Sequence, residues 1–147
     1  DPNNLLADVI RKHEFLAKVK KIAIETEFEP LFPIKIDPEL IKQVFSNLIE
    51  NAIKYSPEET TIKVISKEVD GMVVVRISDS GLGIPAQELP NLFMKFYRSA
   101  NAKSSPIKGS GLGLYLAKYF TELHGGRIFV ESVYGQGTDF VVELPQN

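Results

Sequence analysis

Apolar residues recur at two different periods along this chain, and the changes of period divide it into segments. Leu5, Leu6, Val9 and Ile10 open a stripe at helical spacing that runs on to Phe15 and Leu16, which predicts an N-terminal helix. From Lys20 to Phe28 polar and apolar positions alternate, with Ile22 and Ile24 on one side, so a strand is expected until Pro30 and Pro33 interrupt it. Asp37-Pro38 has the form of a helix start. A capping carboxylate is followed by proline at the first helical position, where its missing N–H loses nothing. Leu40, Ile41, Val44, Phe45, Leu48, Ile49, Ala52 and Ile53 then form one apolar stripe, and the helix closes at Tyr55, before Ser56-Pro57.

Two strands are predicted next, Thr61 to Val69 and Met72 to Ser78, joined by the hairpin dipeptide Asp70-Gly71. The second strand runs into Asp79-Ser80-Gly81-Leu82-Gly83-Ile84-Pro85 and then a short helical patch from Leu89 to Tyr97. Residues Ser99 to Lys108 are polar and turn-rich, which predicts a mobile loop. Gly109-Ser110-Gly111-Leu112-Gly113 opens a further apolar helix that ends near Leu123, stopped by Gly125-Gly126. Strands from Arg127 to Val133 and Thr138 to Leu144 make a last hairpin around Gly135 and Gly137. The order is αβαββ, an irregular segment, then αββ. It predicts an α/β (α+β) two-layer sandwich: one mixed, mostly antiparallel sheet packed on one face by about three helices. No repeat or internal boundary is visible, so residues 1–147 are expected to form one domain.

Composition narrows the chemistry. A net charge of -2 argues against a general nucleic-acid or polyanion binder, so any phosphate must be met by locally placed groups. With no cysteine, disulfides, thiolate catalysis and zinc-thiolate sites are excluded. No apolar run approaches the ~18 residues that a membrane helix needs, and no signal peptide is visible. The abrupt opening on a helical pattern suggests a piece of a longer protein.

Three features carry candidate chemistry. On the helix from Pro38 to Tyr55, a polar stripe of Gln43, Asn47, Asn51, Lys54 and Tyr55 runs beside the apolar one, in steps of three and four. Asparagine competes with the backbone inside a helix, so two of them bordering a buried face need a reason. Their oxygens are hard ligands suited to magnesium, and a nearby lysine can meet a phosphate. A solvated polar face is the other reading. Asp79 ends a strand before a glycine turn. A fixed carboxylate there would accept from the exocyclic amine of adenine and reject guanine, which offers a carbonyl instead; it is otherwise a turn-forming aspartate. Gly109, Gly111 and Gly113 precede a helix, where bare amides and the helix dipole favour phosphate. This run does not fit the dinucleotide fingerprint, and P-loop and protein-kinase motifs are absent.

Together these motifs make a pattern. Asn47-Leu48-Ile49-Glu50-Asn51-Ala52-Ile53-Lys54-Tyr55 looks like an N box, Asp79-Ser80-Gly81-Leu82-Gly83-Ile84 like a G1 box, and Leu92-Phe93-Met94-Lys95-Phe96-Tyr97-Arg98 like an F box. Gly109-Ser110-Gly111-Leu112-Gly113-Leu114 looks like a G2 box and Gly135-Gln136-Gly137-Thr138 like the last glycine box. Over essentially its whole length the chain resembles the ATP-binding catalytic domain of bacterial sensor histidine kinases, in the superfamily of DNA gyrase, Hsp90 and MutL, whose fold is of Bergerat type.

The resemblance implies ATP and magnesium as cofactors. Asp79 would read the adenine amine, with Gly83 and Thr138 beside it through water. Gly81 and Ile84 belong to the same turn, and Tyr55 closes the N box. Asn51 and Asn47 would hold magnesium. Lys54, Tyr97 and Arg98 would contact the phosphates, with Asn47, Lys54 and Arg98 as the catalytic set. The backbone of Gly109, Ser110, Gly111, Leu112, Gly113 and Leu114 would wrap the triphosphate, and Ser99 to Lys108 would be the lid. Phe93 and Phe96 would pack the lid base, touch a partner helix, or simply fill the core.

Hydrolysing relatives place a glutamate four residues before the magnesium asparagine, where this chain has Asn47. Asparagine is no base, so the resemblance implies phosphoryl transfer to a histidine on a separate helical dimerisation domain, with a response regulator downstream. A hydrolysing or serine-kinase relative on the same fold, and a nucleotide sensor without catalysis, are the other readings. His13-Glu14 superficially resembles the family's acceptor pair but lacks its Arg-Thr-Pro continuation, and His124 sits at a helix end where it suits the dipole; both read as structural. No nucleic-acid partner is expected, the fragment is expected to be monomeric, and the parent is expected in the cytoplasm or anchored to the bacterial inner membrane.

Overall fold

In the computed structural model, which describes residues 1–94 and 112–146, the N-terminal stripe forms α1 (Pro2–Val19), capped by Asp1, whose side chain accepts from the Asn3 N–H at 2.8 Å. Leu6, Val9, Ile10 and Ala17 are buried, whereas Phe15 and Leu16 are exposed, against the expectation that they continue the apolar face. The reason is angular. At about 100° per residue, Phe15 lies about 180° from Leu6, so extending the stripe by pattern carried it around the helix.

The first strand, β1 (Ala23–Phe28), begins three residues later than the alternation suggested. Lys20 to Ile22 instead make a turn, with Lys21 at φ 56. The Lys20 ammonium reaches across to the end of the next helix and donates to the carbonyls of Ile53 (2.8 Å), Lys54 (3.0 Å) and Ser56 (2.7 Å).

That helix, α2 (Pro38–Tyr55), has the predicted bounds. The Asp37 carboxylate accepts from the N–H groups of Glu39 and Leu40, and the whole predicted stripe from Ile41 to Ile53 is buried. The hairpin of β2 (Thr61–Val69) and β3 (Met72–Asp79) turns through Asp70 at φ 51 and Gly71 at φ 78, both left-handed as a type I′ turn requires.

A short 3₁₀ helix covers Ala86–Asn91 with Pro90 inside it. It replaces the described part of the helical patch expected from Leu89 to Tyr97, because proline removes a donor that an α-helix would need. Then come α3 (Gly113–Leu123), β4 (Arg127–Val133) and β5 (Gly137–Pro145). α3 ends in a left-handed Gly125 at φ 72, with the Gly126 N–H bonded back to the Thr121 carbonyl.

The strands form one sheet in the order β1-β2-β3-β5-β4, with β1 and β2 parallel and the other pairs antiparallel. This is the predicted mixed sheet. Ile62, Val64, Val73, Val75, Ile77, Phe140, Val142 and Leu144 point toward the helices and are buried with the α2 stripe. The opposite face carries ion pairs: Lys63–Glu27 at 2.9 Å, Arg76 with both Asp139 and Glu131, and Arg127–Glu143. Val74 and Val141 are also buried on that face, among these long side chains.

The helix α2 packs between α1 and α3. His124 joins α3 to its start: the ring Nε2 accepts from the Asp37 N–H at 2.9 Å, while Nδ1 faces the Phe120 carbonyl at 2.7 Å. The imidazole is therefore a two-sided bridge between α3 and the start of α2, a structural role as expected. Among the described residues no helix is long and apolar enough to cross a membrane.

Lys20→Met removes three charge-assisted bonds from the end of α2. It is expected to lower stability by about 1–3 kcal/mol in urea denaturation. An unchanged midpoint would mean that water satisfies those carbonyls equally well.

Candidate functional site

The polar edge of α2 splits in three dimensions. A step of four residues advances about 40° around a helix, so the stripe drifts. Gln43 ends on the α1 side, lining a groove of about 220 Å³ with Val9, Lys12, His13, Glu39, Lys42 and Ser46. Asn47 faces α3 instead, and its amide donates to the Gly113 carbonyl at 3.1 Å. The asparagine helix and the start of the glycine-led helix, 66 residues apart, thus meet directly. Leu112, Gly113 and Leu114 form that start, half-buried. A helix start favours an anion through its amides and dipole.

Asn51 lies one turn beyond Asn47, half-buried. Lys54 does not extend freely: its ammonium pairs with Glu50 at 2.8 Å. Tyr55 is exposed at the end of α2, and its backbone carbonyl lies close against Gly81. So the N box abuts the Asp79 turn at its last residue, Tyr55, and the glycine-led helix at its first, Asn47.

Asp79 closes β3 opposite Thr138 of β5. Its carboxylate accepts the Gly81 N–H at 2.8 Å and a backbone N–H from Thr138. Burial pushes its pKa up from the usual 3.8, the two backbone bonds pull it back, and Asp139 nearby adds to the rise. A half-buried carboxylate with one edge occupied by backbone amides has acceptor capacity left for a ligand amine.

The glycines of this turn are dictated by close approach. Gly83 has φ 83, and a Cβ there would lie 2.5 Å from the Val133 carbonyl. Gly137 has φ 134, and a Cβ there would lie 2.3 Å from the Asp79 carbonyl. The Asp79 turn is thereby pressed against the β4–β5 hairpin.

Ser132, which the motif pattern does not single out, fastens the two. Its hydroxyl accepts the Ile84 N–H at 2.8 Å, donates to the Gly137 carbonyl at 3.0 Å and lies 3.2 Å from the buried Thr138 hydroxyl. Its place opposite Thr138 in the strand register was the only available signal. Phe93 packs edge-on against Phe140, ring centroids 6.2 Å apart, which makes it a core residue. Tyr97, Arg98, Gly109, Ser110 and Gly111 lie outside the described residues, as do Lys95, Phe96 and the whole of Ser99 to Lys108.

This layout has known counterparts. The family model of histidine kinase-, DNA gyrase B- and HSP90-like ATPases matches residues 36–147. Over 147 residues the chain is 38% identical to the sensor protein kinase WalK of Staphylococcus haemolyticus and 37% identical to that of Staphylococcus saprophyticus. Each match covers 99% of this chain and 24% of the relative, so the chain spans about a quarter of their length. Among solved structures, the mycobacterial sensor histidine kinase MprB superposes with a TM-score of 0.85 at 26% identity, covering 97% of this chain and 93% of that one. Full-length ShkA, solved in complex with AMPPNP, gives 0.87 at 27% identity, covering 99% of this chain and 30% of that one. The chain belongs to the family of histidine kinase-, DNA gyrase B- and HSP90-like ATPases, as an ATP-binding catalytic domain of the sensor histidine kinase type.

Asp79→Asn separates binding from folding. Since folding raises the Asp79 pKa, its ionisation opposes folding: the contribution is favourable below the ordinary value and lost as pH rises through the raised one. The variant should therefore be at least as stable as the parent chain at neutral pH, and the difference should shrink on acidification. ATP affinity should fall by about 1–3 kcal/mol, or roughly five- to 150-fold, in calorimetry at neutral pH. Unchanged affinity would reject Asp79 as the adenine acceptor.

Proposed function

We propose that this domain binds ATP with magnesium and transfers the γ-phosphoryl group to a histidine carried by a separate helical domain of its parent protein. The observation that carries the reading is the Asn47–Gly113 hydrogen bond. It sets the polar edge of α2 and the start of α3 side by side, with Asp79 at the far end of α2. Asp79 accepts the adenine amine, with Gly81, Gly83, Ile84 and Thr138 shaping the turn around it. Lys54, Tyr97 and Arg98 meet the phosphates, and the backbone from Gly109 to Leu114 wraps them.

The donor set fits magnesium. Among the described residues no group of three or more His, Cys, Asp or Glu is assembled for a metal. A magnesium ion carried on a triphosphate keeps water and phosphate oxygens and needs few protein ligands, a role suited to the Asn51 and Asn47 amide oxygens. When bound, the ion neutralises charge that develops on the phosphoryl oxygens. Asn47 already donates its amide N–H₂ to Gly113, which leaves its oxygen for this role.

Position 47, where hydrolysing relatives carry the water-activating glutamate, holds an asparagine that is no base, which favours transfer over hydrolysis. The chain contributes position and charge, and the nucleophile arrives on another domain. His13 is not that nucleophile: it is largely buried on α1, with Nδ1 at 2.9 Å from the Val9 carbonyl. In this reading residues 1–147 are one catalytic domain, monomeric by itself because dimerisation resides in the helical domain. The parent acts at the cytoplasmic side of the bacterial inner membrane on a response regulator, and nucleic acid plays no part.

Mixing the chain with labelled ATP and the parent's helical domain is expected to put acid-labile, base-stable label on the helical domain. Free phosphate released by this chain alone would instead indicate a hydrolase. Asn51→Ala is expected to abolish the magnesium dependence of ATP binding in calorimetry. Persistence of that dependence would move the metal role to another residue.

A further inference from the structure

Lys54 and Glu50 are one helical turn apart on α2, and such pairs often flicker at a surface. This one is anchored from outside the helix. Glu50 uses its two oxygens on different partners: Oε1 lies 2.8 Å from the Lys54 ammonium, and Oε2 lies 3.8 Å from Nε2 of His13 on α1. His13 is itself fixed, only 13% exposed and bonded through Nδ1 to the Val9 carbonyl. The His13 ring thus bounds the α1 side of the carboxylate, and pairs with it when the imidazole is protonated. Lys54 holds the Glu50 pKa below its usual range, with His13 as a lesser cause, while burial opposes the shift.

The side on which Glu50 stands matters. It faces α1, whereas Asn47 on the same helix faces α3 and the glycine-led helix start. An ammonium drawn toward Glu50 is drawn toward α1 and away from the asparagine edge. For Lys54 to meet a phosphate it must leave the carboxylate or share its protons with it. A phosphate and Glu50 are then competitors for one cation.

We propose that Glu50, steadied by His13, is a positioning residue that parks the Lys54 ammonium on the α1 side of the helix until a nucleotide phosphate displaces it. This rests on the reading of Lys54 as a phosphate contact. The consequence is an ATP affinity set below the level the pocket could reach, through a carboxylate that touches no part of the nucleotide.

Calorimetric titration with magnesium-ATP and with adenosine tests this on the 147-residue chain and on Glu50→Gln, Lys54→Met and the double variant. Glu50→Gln is expected to bind ATP about two- to fivefold tighter, the size of a partly exposed helical ion pair, and adenosine unchanged. No gain is expected when Lys54→Met is the background. Unchanged ATP affinity in Glu50→Gln would overturn the proposal. So would an equal gain in the Lys54→Met background, which would mark a general field effect of the lost charge. Should Lys54→Met leave ATP affinity untouched, the phosphate role of Lys54 itself falls, a result distinct from a silent Glu50→Gln beside a weakened Lys54→Met. If Glu50→Gln fails to fold, His13→Gln replaces it: tighter ATP binding supports the parked lysine, and unchanged binding overturns it.

Discussion

The burial of α2 is the constraint on which the rest of this domain depends. Its apolar stripe from Ile41 to Ile53 is almost wholly removed from water against the sheet, so neither its rotation nor its depth is free. Every other part of the site is tied to it. His124 bonds its capping residue, Asn47 holds the start of α3, Lys20 closes its last carbonyls, and the Tyr55 carbonyl sits against Gly81. A helix locked on one side by packing can present asparagines on its other edge at fixed positions, which a loop could not do.

The Asp79 end of the site works by a different balance. A carboxylate half-removed from water opposes folding, and two backbone amides offset only part of that penalty. The turn after it then has to approach the β4–β5 hairpin so closely that Gly83 and Gly137 admit no Cβ, and the Ser132 hydroxyl ties the two together. Stability is given up at one acidic group in exchange for an acceptor whose direction is fixed. The helical and hairpin halves of the site are held by separate means: packing and caps on one side, backbone contact and one serine on the other.

Charge is arranged to match. The open face of the sheet pairs Lys63, Arg76 and Arg127 with carboxylates of neighbouring strands. The Lys54 ammonium, on the same helix as the asparagines, is paired with Glu50, which stands beside His13 of α1. In a chain with a net charge of -2, attraction of a polyanion has to be local.

The sequence by itself determined the elements and the family. The α2 stripe, the Asp70-Gly71 hairpin and the glycine punctuation encode local geometry, and local geometry needs only nearby residues to be legible. The five boxes likewise carry chemistry in residue type and spacing. Pattern failed where helix pitch, a proline or a distant partner decided the outcome. Phe15 left the apolar face because helix pitch carries it about 180° from Leu6. Lys20 left the predicted strand for the end of α2, and Pro90 lies in a 3₁₀ helix, Ala86–Asn91, where an α-helix was expected from Leu89. Gln43 separated from Asn47 because four residues are not a whole number of turns. Only the tertiary structure could show that Ser132 fastens the Asp79 turn, that His124 bridges two helices, and that Glu50, the partner of Lys54, stands beside His13 of α1. Each of these is a contact between segments far apart in the chain, and no spacing along a sequence records which distant atoms packing will bring within bonding distance.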